Sequence, residues 1–124
     1  MSYTFLSGIN PEEYARLSGH KKLCDVLDLL NYQYDTVVGV WQGRPELSVR
    51  VYNLTKEDGT FLLRQFGQGS MLRVENGQAT LINSAGIILR HFNGIKNTTD
   101  WREVSQLDSY TVLPEGDFIY FYEL

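Results

Sequence analysis

Along Glu46–Asn53 apolar and polar residues alternate with a period of two: Leu47, Val49 and Val51 point one way, while Glu46, Ser48, Arg50 and Tyr52 point the other. That is the pattern of a strand with one buried face. A different period governs His20–Asn31, where Leu23, Val26, Leu27 and Leu30 recur at three and four and predict one buried helical face. Tyr3–Ile9 is apolar enough for a first strand, ended by Asn10-Pro11, and Pro11 suits the opening of a short helical turn. Val37–Gln42 reads as a strand and Gly43-Arg44-Pro45 as a turn. Thr55 can cap a second helix that runs to about Phe66 and stops at Gly67, with Asp58 favoured in its first turn.

The second half of the chain is strand-like. Met71–Glu75 and Gln78–Asn83 flank Asn76-Gly77, a strong hairpin signal. Gly86–Phe92 continues the meander, Asn93–Thr99 reads as a polar loop, and Asp100 can cap a short helical turn through Glu103. Tyr110–Leu113 and Phe118–Leu124 form a closing hairpin about the turn at Pro114–Asp117. Strands outnumber helices and short turns join most of them. The expected fold is therefore α+β, a mainly antiparallel sheet of about six or seven strands with two main helices packed on one side. At 124 residues this is one globular domain, 1–124. An edge strand of such a meander can pair with its twin, which allows a homo-oligomer.

Composition adds little to that picture, but charge adds more. Hydrophobic residues make up 43% and charged residues 21%, values of a globular chain rather than a disordered one. The net charge of −4 is uneven: residues 100–124 hold six acids and one base, the first 99 residues nine acids and ten bases. The bases form no stripe of the kind that displaces counterions from nucleic acid, which speaks against a nucleic-acid binder. No apolar run approaches a membrane span and no signal peptide is recognisable, so a cytoplasmic protein is expected.

Catalytic signatures are missing, so no catalytic residue is assigned and an enzyme is not expected. Cys24 is the only cysteine; with His20 and Asp28 it falls on one helical face, but a fourth ligand is lacking, so neither a metal nor another cofactor is assigned. Gly67-Gln-Gly-Ser70 follows a helix and enters a strand, the reverse of a phosphate cradle, and reads as a helix stop. Trp41 and Glu46 flank a turn, and with Asn10, Gln65, Gln68 and Ser70 they make a candidate ligand site of polar groups at element ends. The aromatic run Phe118–Tyr122 reads first as a central strand covered on both faces. Its alternative is a partner surface of Tyr120 and Tyr122 among Glu115, Asp117 and Glu123.

The runs Phe5-Leu-Ser-Gly-Ile-Asn10-Pro11, Pro45-Glu46-Leu-Ser48-Val and Phe66-Gly67-Gln68, with Leu23 and Leu27 between, resemble a family of small bacterial and phage domains, the domain of unknown function 3293 family. The likeness spans residues 3–83 and departs at Ser7-Gly8-Ile9. It implies a bacterial or phage origin and one shared constellation of Asn10, Glu46 and Gln68, but no reaction. Two functions are expected to compete. One is an accessory protein that engages or inhibits a host protein through the acidic aromatic hairpin. The other binds a small nucleotide-like ligand, with Trp41 stacking on a ring and the polar groups reading its edge.

Overall fold

The computed structural model describes residues 2–7 and 16–124. The Asn10-Pro11 junction, and the helical turn expected after it, lie outside them. Among the described residues nine strands form one sheet: β1 (Ser2–Leu6), β2 (Tyr34–Trp41), β3 (Arg44–Tyr52), β4 (Ser70–Glu75), β5 (Gln78–Asn83), β6 (Ile88–Phe92), β7 (Gly94–Thr98), β8 (Ser109–Val112) and β9 (Phe118–Tyr122). Three helices among the described residues join them: α1 (Arg16–Leu29), α2 (Lys56–Gln65) and α3 (Trp101–Val104). The α+β class holds, with two more strands than the upper expectation. Asn93–Thr99, expected as a loop, supplies one of them. Lys96, Asn97 and Thr98 are polar, yet β7 pairs antiparallel with β9 from Gly94–Tyr122 to Thr98–Phe118.

The strand order is β6-β5-β4-β1-β3-β2-β8-β9-β7, which puts β6 and β7 at the two margins. In a flat sheet those margins would stand about 38 Å apart, at roughly 4.8 Å per strand. Only Asn93 separates Phe92 from Gly94, and two Cα steps span at most about 7.6 Å. The sheet must therefore curl until its margins meet, and β5 and β7 do come into contact. β6 and β7 act as one bent strand that pairs with β5 in its first half and with β9 in its second. A register shift opposite Leu81 and Ile82 adds local twist to this wall. At the corner a Cβ on Gly94 would overlap the Tyr122 ring, so only glycine fits beneath that aromatic side chain.

A nearly barrel-shaped sheet has two unlike faces. On its convex side Leu6, Val49, Val51, Met71 and Ile82 pack against Leu23 and Leu27 of α1 and Leu62 and Leu63 of α2. Leu30, expected on the buried face of the first helix, lies past the end of α1 and is 43% exposed. The third helix packs elsewhere on the outside: Trp101 meets Tyr110 and Phe118 at ring distances of 6.1 and 5.9 Å, and α3 contacts β9. Three helices spread around a curled sheet thus replace two layered on one side of a flatter one. On the concave side Phe5, Val37, Val74, Ala79, Leu113 and Ile119 form a second core.

Local chemistry accounts for the joints. Thr55 caps α2, its hydroxyl accepting from the Asp58 amide at 3.1 Å. Gly67 adopts φ +63° and the Gln68 amide reaches back to the Leu63 carbonyl, which ends the helix. Asn76 and Gly77 take φ +53° and +74°, the left-handed pair that a two-residue hairpin requires. The turn between β2 and β3 is likewise Gln42-Gly43, with φ +51° and +75°, so Arg44 and Pro45 belong to β3 rather than to the turn.

Candidate functional site

The register divides each strand between the two faces. Ser7 follows β1 on the face of Phe5; Glu46 and Ser48 share that face on β3, paired with Gly39 and Val37 of β2. Thr111 and Ser109 of β8 pair with Gly39 and Trp41. Towards one end the concave face is filled by Tyr3, Val37, Val74, Leu113 and Ile119. Towards the other, Ser7, Gly39, Ser48, Ser70, Ser109 and Thr111 are too small to meet across the curl. They leave a cavity of about 820 Å³, within the usual range of roughly 300–1,000 Å³ for ligand sites. Its walls come from β4, β5 and β6 on one side and β8 and β9 on the other, segments far apart in the strand order.

Glu46 sits half-buried in this cup and accepts a hydrogen bond from the Ser7 hydroxyl at 2.8 Å. The same hydroxyl lies 3.2 Å from the Leu47 carbonyl, which fixes it between backbone and carboxylate. Trp41, at the end of β2, is 60% exposed and stands at the mouth. Gln68 and Ser70, just past α2 and at the start of β4, line the same cavity, and the Gln68 amide nitrogen lies 3.4 Å from the Phe66 carbonyl. Trp41, Glu46, Gln68 and Ser70 are therefore brought together. Gln65 is not: it is exposed in α2 and does not line the cup. Asn10 falls outside the described residues.

The acidic aromatic hairpin is divided. Glu115 and Asp117 belong to the turn before β9, while Tyr122 and Glu123 stand at its other end. Glu123 lines the cup and pairs with Arg90 at 2.7 Å. Tyr120 donates its hydroxyl to Glu103 at 2.6 Å, and Lys96 meets the same carboxylate oxygen at 2.6 Å. Lys96 foremost, then Tyr120 and Thr98, hold the Glu103 carboxyl down at about 2. Asp117 keeps Oδ1 buried without a hydrogen-bond partner among the described residues. β9 lies between β8 and β7, the inner position expected of a covered strand.

Sequence reasoning missed Arg90, Gly39, Ser109 and Thr111. The signal for three of them was present: small residues at every second position near strand ends, where a packed core would carry large ones. Arg90 had none, because its place in the cup depends on the closure at Asn93.

Away from the cup, Cys24 Sγ lies 3.6 Å from His20 Nε2 and the Tyr34 hydroxyl donates to Asp28 at 2.9 Å. Burial lowers the His20 pKa, and burial foremost raises that of Cys24. Both therefore favour neutral forms, unlike an activated thiolate–imidazolium pair. Among the described residues no helix is long and apolar enough to cross a membrane.

A scan against protein-family models finds none that matches this chain, and a search of curated proteins finds no relative. The site is accordingly read from its own geometry.

Proposed function

We propose that the protein binds a small molecule in the cup of its curled sheet, with an apolar ring system on the floor and Glu46 orienting its polar end. The observation that carries this reading is the replacement of large residues by Gly39, Ser48, Ser70, Ser109 and Thr111 on the concave face. Glycine inside a strand weakens it and gives no side chain to pack, so its presence facing a cavity favours close approach by a ligand. The floor supplies Phe5, Leu72, Leu81, Phe92 and Phe121, apolar surface that a ring can cover. A nucleobase is one ring system of suitable size, and Trp41 with Glu46 would meet its face and edge.

The test uses an uncharged fluorescent probe, N-phenyl-1-naphthylamine. Saturable uptake at one site is expected, with emission rising as the dye leaves water. Gly39→Leu projects a side chain into the cup from a position where a Cβ meets only the Ser48 hydroxyl oxygen at 3.4 Å and the Glu46 carbonyl. That variant is expected to keep its melting temperature and lose the probe. Uptake unchanged in Gly39→Leu would place the dye elsewhere and remove the proposal.

A second reading has the acidic aromatic hairpin engage or inhibit a host protein. It is favoured by the six acids against one base in residues 100–124 and by Tyr122, which is 38% exposed. Tyr120 and Glu123 already have partners within the chain, which lessens what they can offer to another protein. Reversing the charge of Glu115, Asp117 and Glu123 should release any such partner from a pull-down; retention would end this reading.

A further inference from the structure

Accepting the cup as a ligand site, we propose that its ligand is an amphipathic cation: an apolar or aromatic body carrying a protonated amine that pairs with Glu46. Three features of the mouth lead there. Glu46 is a carboxylate half-removed from water whose hydrogen-bond donor is the Ser7 hydroxyl, and it takes part in no ion pair among the described residues. A charge in that position gains most from an opposite charge delivered by the ligand, because partial burial strengthens the attraction.

The remaining charges agree in sign. Asp108 and Glu123 also line the cavity, against one base, Arg90, so among the described residues the charged lining is three acids to one cation. The Arg90 guanidinium is itself committed to Glu123 at 2.7 Å and lies over the Phe92 ring, 4.9 Å from its centre. An anionic group entering the mouth would meet a net negative field. This narrows the nucleotide-like reading: a base could enter, but phosphates would be repelled.

An aromatic residue completes the pattern. Trp41 shares the concave face with Gly39, is 60% exposed and lines the cavity. Aromatic faces attract cations and tolerate the methylenes beside them. Below them the apolar floor suits the body of the ligand rather than its charge. The cup thus grades from acidic and aromatic outside to apolar within, as an amphipathic cation does in reverse.

The experiment compares three probes with one dansyl body and a five-carbon chain, ending in an amine (dansylcadaverine), an alcohol or a carboxylate. Fluorescence titration at pH 7 is expected to rank amine above alcohol above carboxylate, the first step by about tenfold, as expected of a charge-assisted hydrogen bond. In Glu46→Gln the amine should fall to the affinity of the alcohol, with the alcohol itself unchanged. Raising the salt concentration should narrow the wild-type gap. Equal binding of all three by the wild type, abolished by Gly39→Leu, would overturn the cation and leave the cup standing. A preference for the carboxylate would do the same. Failure of all three probes, together with failure of the uncharged naphthylamine, would overturn both.

Discussion

Arg50 sets the balance of charge at the end of the concave face away from the mouth. Its guanidinium is 14% exposed and bonds Asp35 at 2.8 Å, and it lies 5.2 Å from the centre of the Tyr52 ring and 5.9 Å from that of Tyr3. Burial works against the charge, and Asp35, Tyr52 and Glu115 more than offset it, so the pKa of Arg50 is raised. The Tyr52 hydroxyl and then Arg50 hold the Asp35 carboxyl below its ordinary range. Asp35→Ala would strand a mostly buried cation. The expected loss is about 1–2 kcal/mol by urea denaturation, less than for a fully buried pair because Asp35 is 35% exposed. A loss below about 0.3 kcal/mol would mean that water or the Tyr rings already satisfy Arg50. At the other end of the sheet Glu46 has no comparable cation among the described residues, and the proposed ligand role of Glu46 rests on that contrast.

Helices and strands carry their own tests. Thr55→Ala removes the cap of α2 and should cost about 1 kcal/mol, seen as a lower denaturation midpoint at unchanged slope. Helix α3 is tied down by Glu103, whose folded pKa of about 2 lies below its ordinary 4.5. A depressed carboxylate contributes stability that is complete above its unfolded pKa and lost as pH falls through the folded one. Between about pH 5 and 2 the wild type should therefore lose stability more steeply than Glu103→Gln, and parallel curves would deny the Lys96–Glu103–Tyr120 cluster any part in holding α3. Corner packing can be tested as well. Gly94→Ala should destabilise by about 1–3 kcal/mol through collision with Tyr122, and Tyr122→Ala in the same chain should recover part of that loss. A melting temperature equal to wild type would show that the bend at Asn93 has room to spare.

Over the whole molecule, closure of the sheet is what gathers separate residues around one cavity. Arg90 of β6 and Glu123 beyond β9 meet across the seam, and the Leu124 amide donates to the Asn93 side chain at 2.7 Å. With the described lining charged three to one, Arg90→Met should tighten dansylcadaverine by about two- to threefold at low salt, an advantage that should vanish in high salt. An unchanged affinity would mean that Arg90 and Glu123 cancel at the ligand. Among the described residues no side chain of a helix lines the cup. The helices cover the convex face, bury Leu23, Leu27, Leu62 and Leu63, and so stiffen the wall from outside.

Much of this was legible locally. Period two assigned Leu47, Val49 and Val51 to one face and Glu46, Ser48 and Arg50 to the other, and the register of β1 and β3 agrees. The Thr55 cap, the Gly67 stop and the Asn76-Gly77 turn were also readable, because each depends on one residue's donors or backbone freedom within a few positions. The strand β7 was not: Lys96-Asn97-Thr98 has no apolar alternation, and its pairing with β9 follows from the corner at Gly94 rather than from its own composition. Gln65 was misjudged for a related reason, since closeness in sequence to Gln68 does not survive the end of a helix. By itself, then, the sequence determined which face side chains take in the elements with a clear apolar period, through backbone chirality and local hydrogen bonding. Only the tertiary structure decided which distant faces meet, because strand order and curl are set by pairing between residues far apart in the chain.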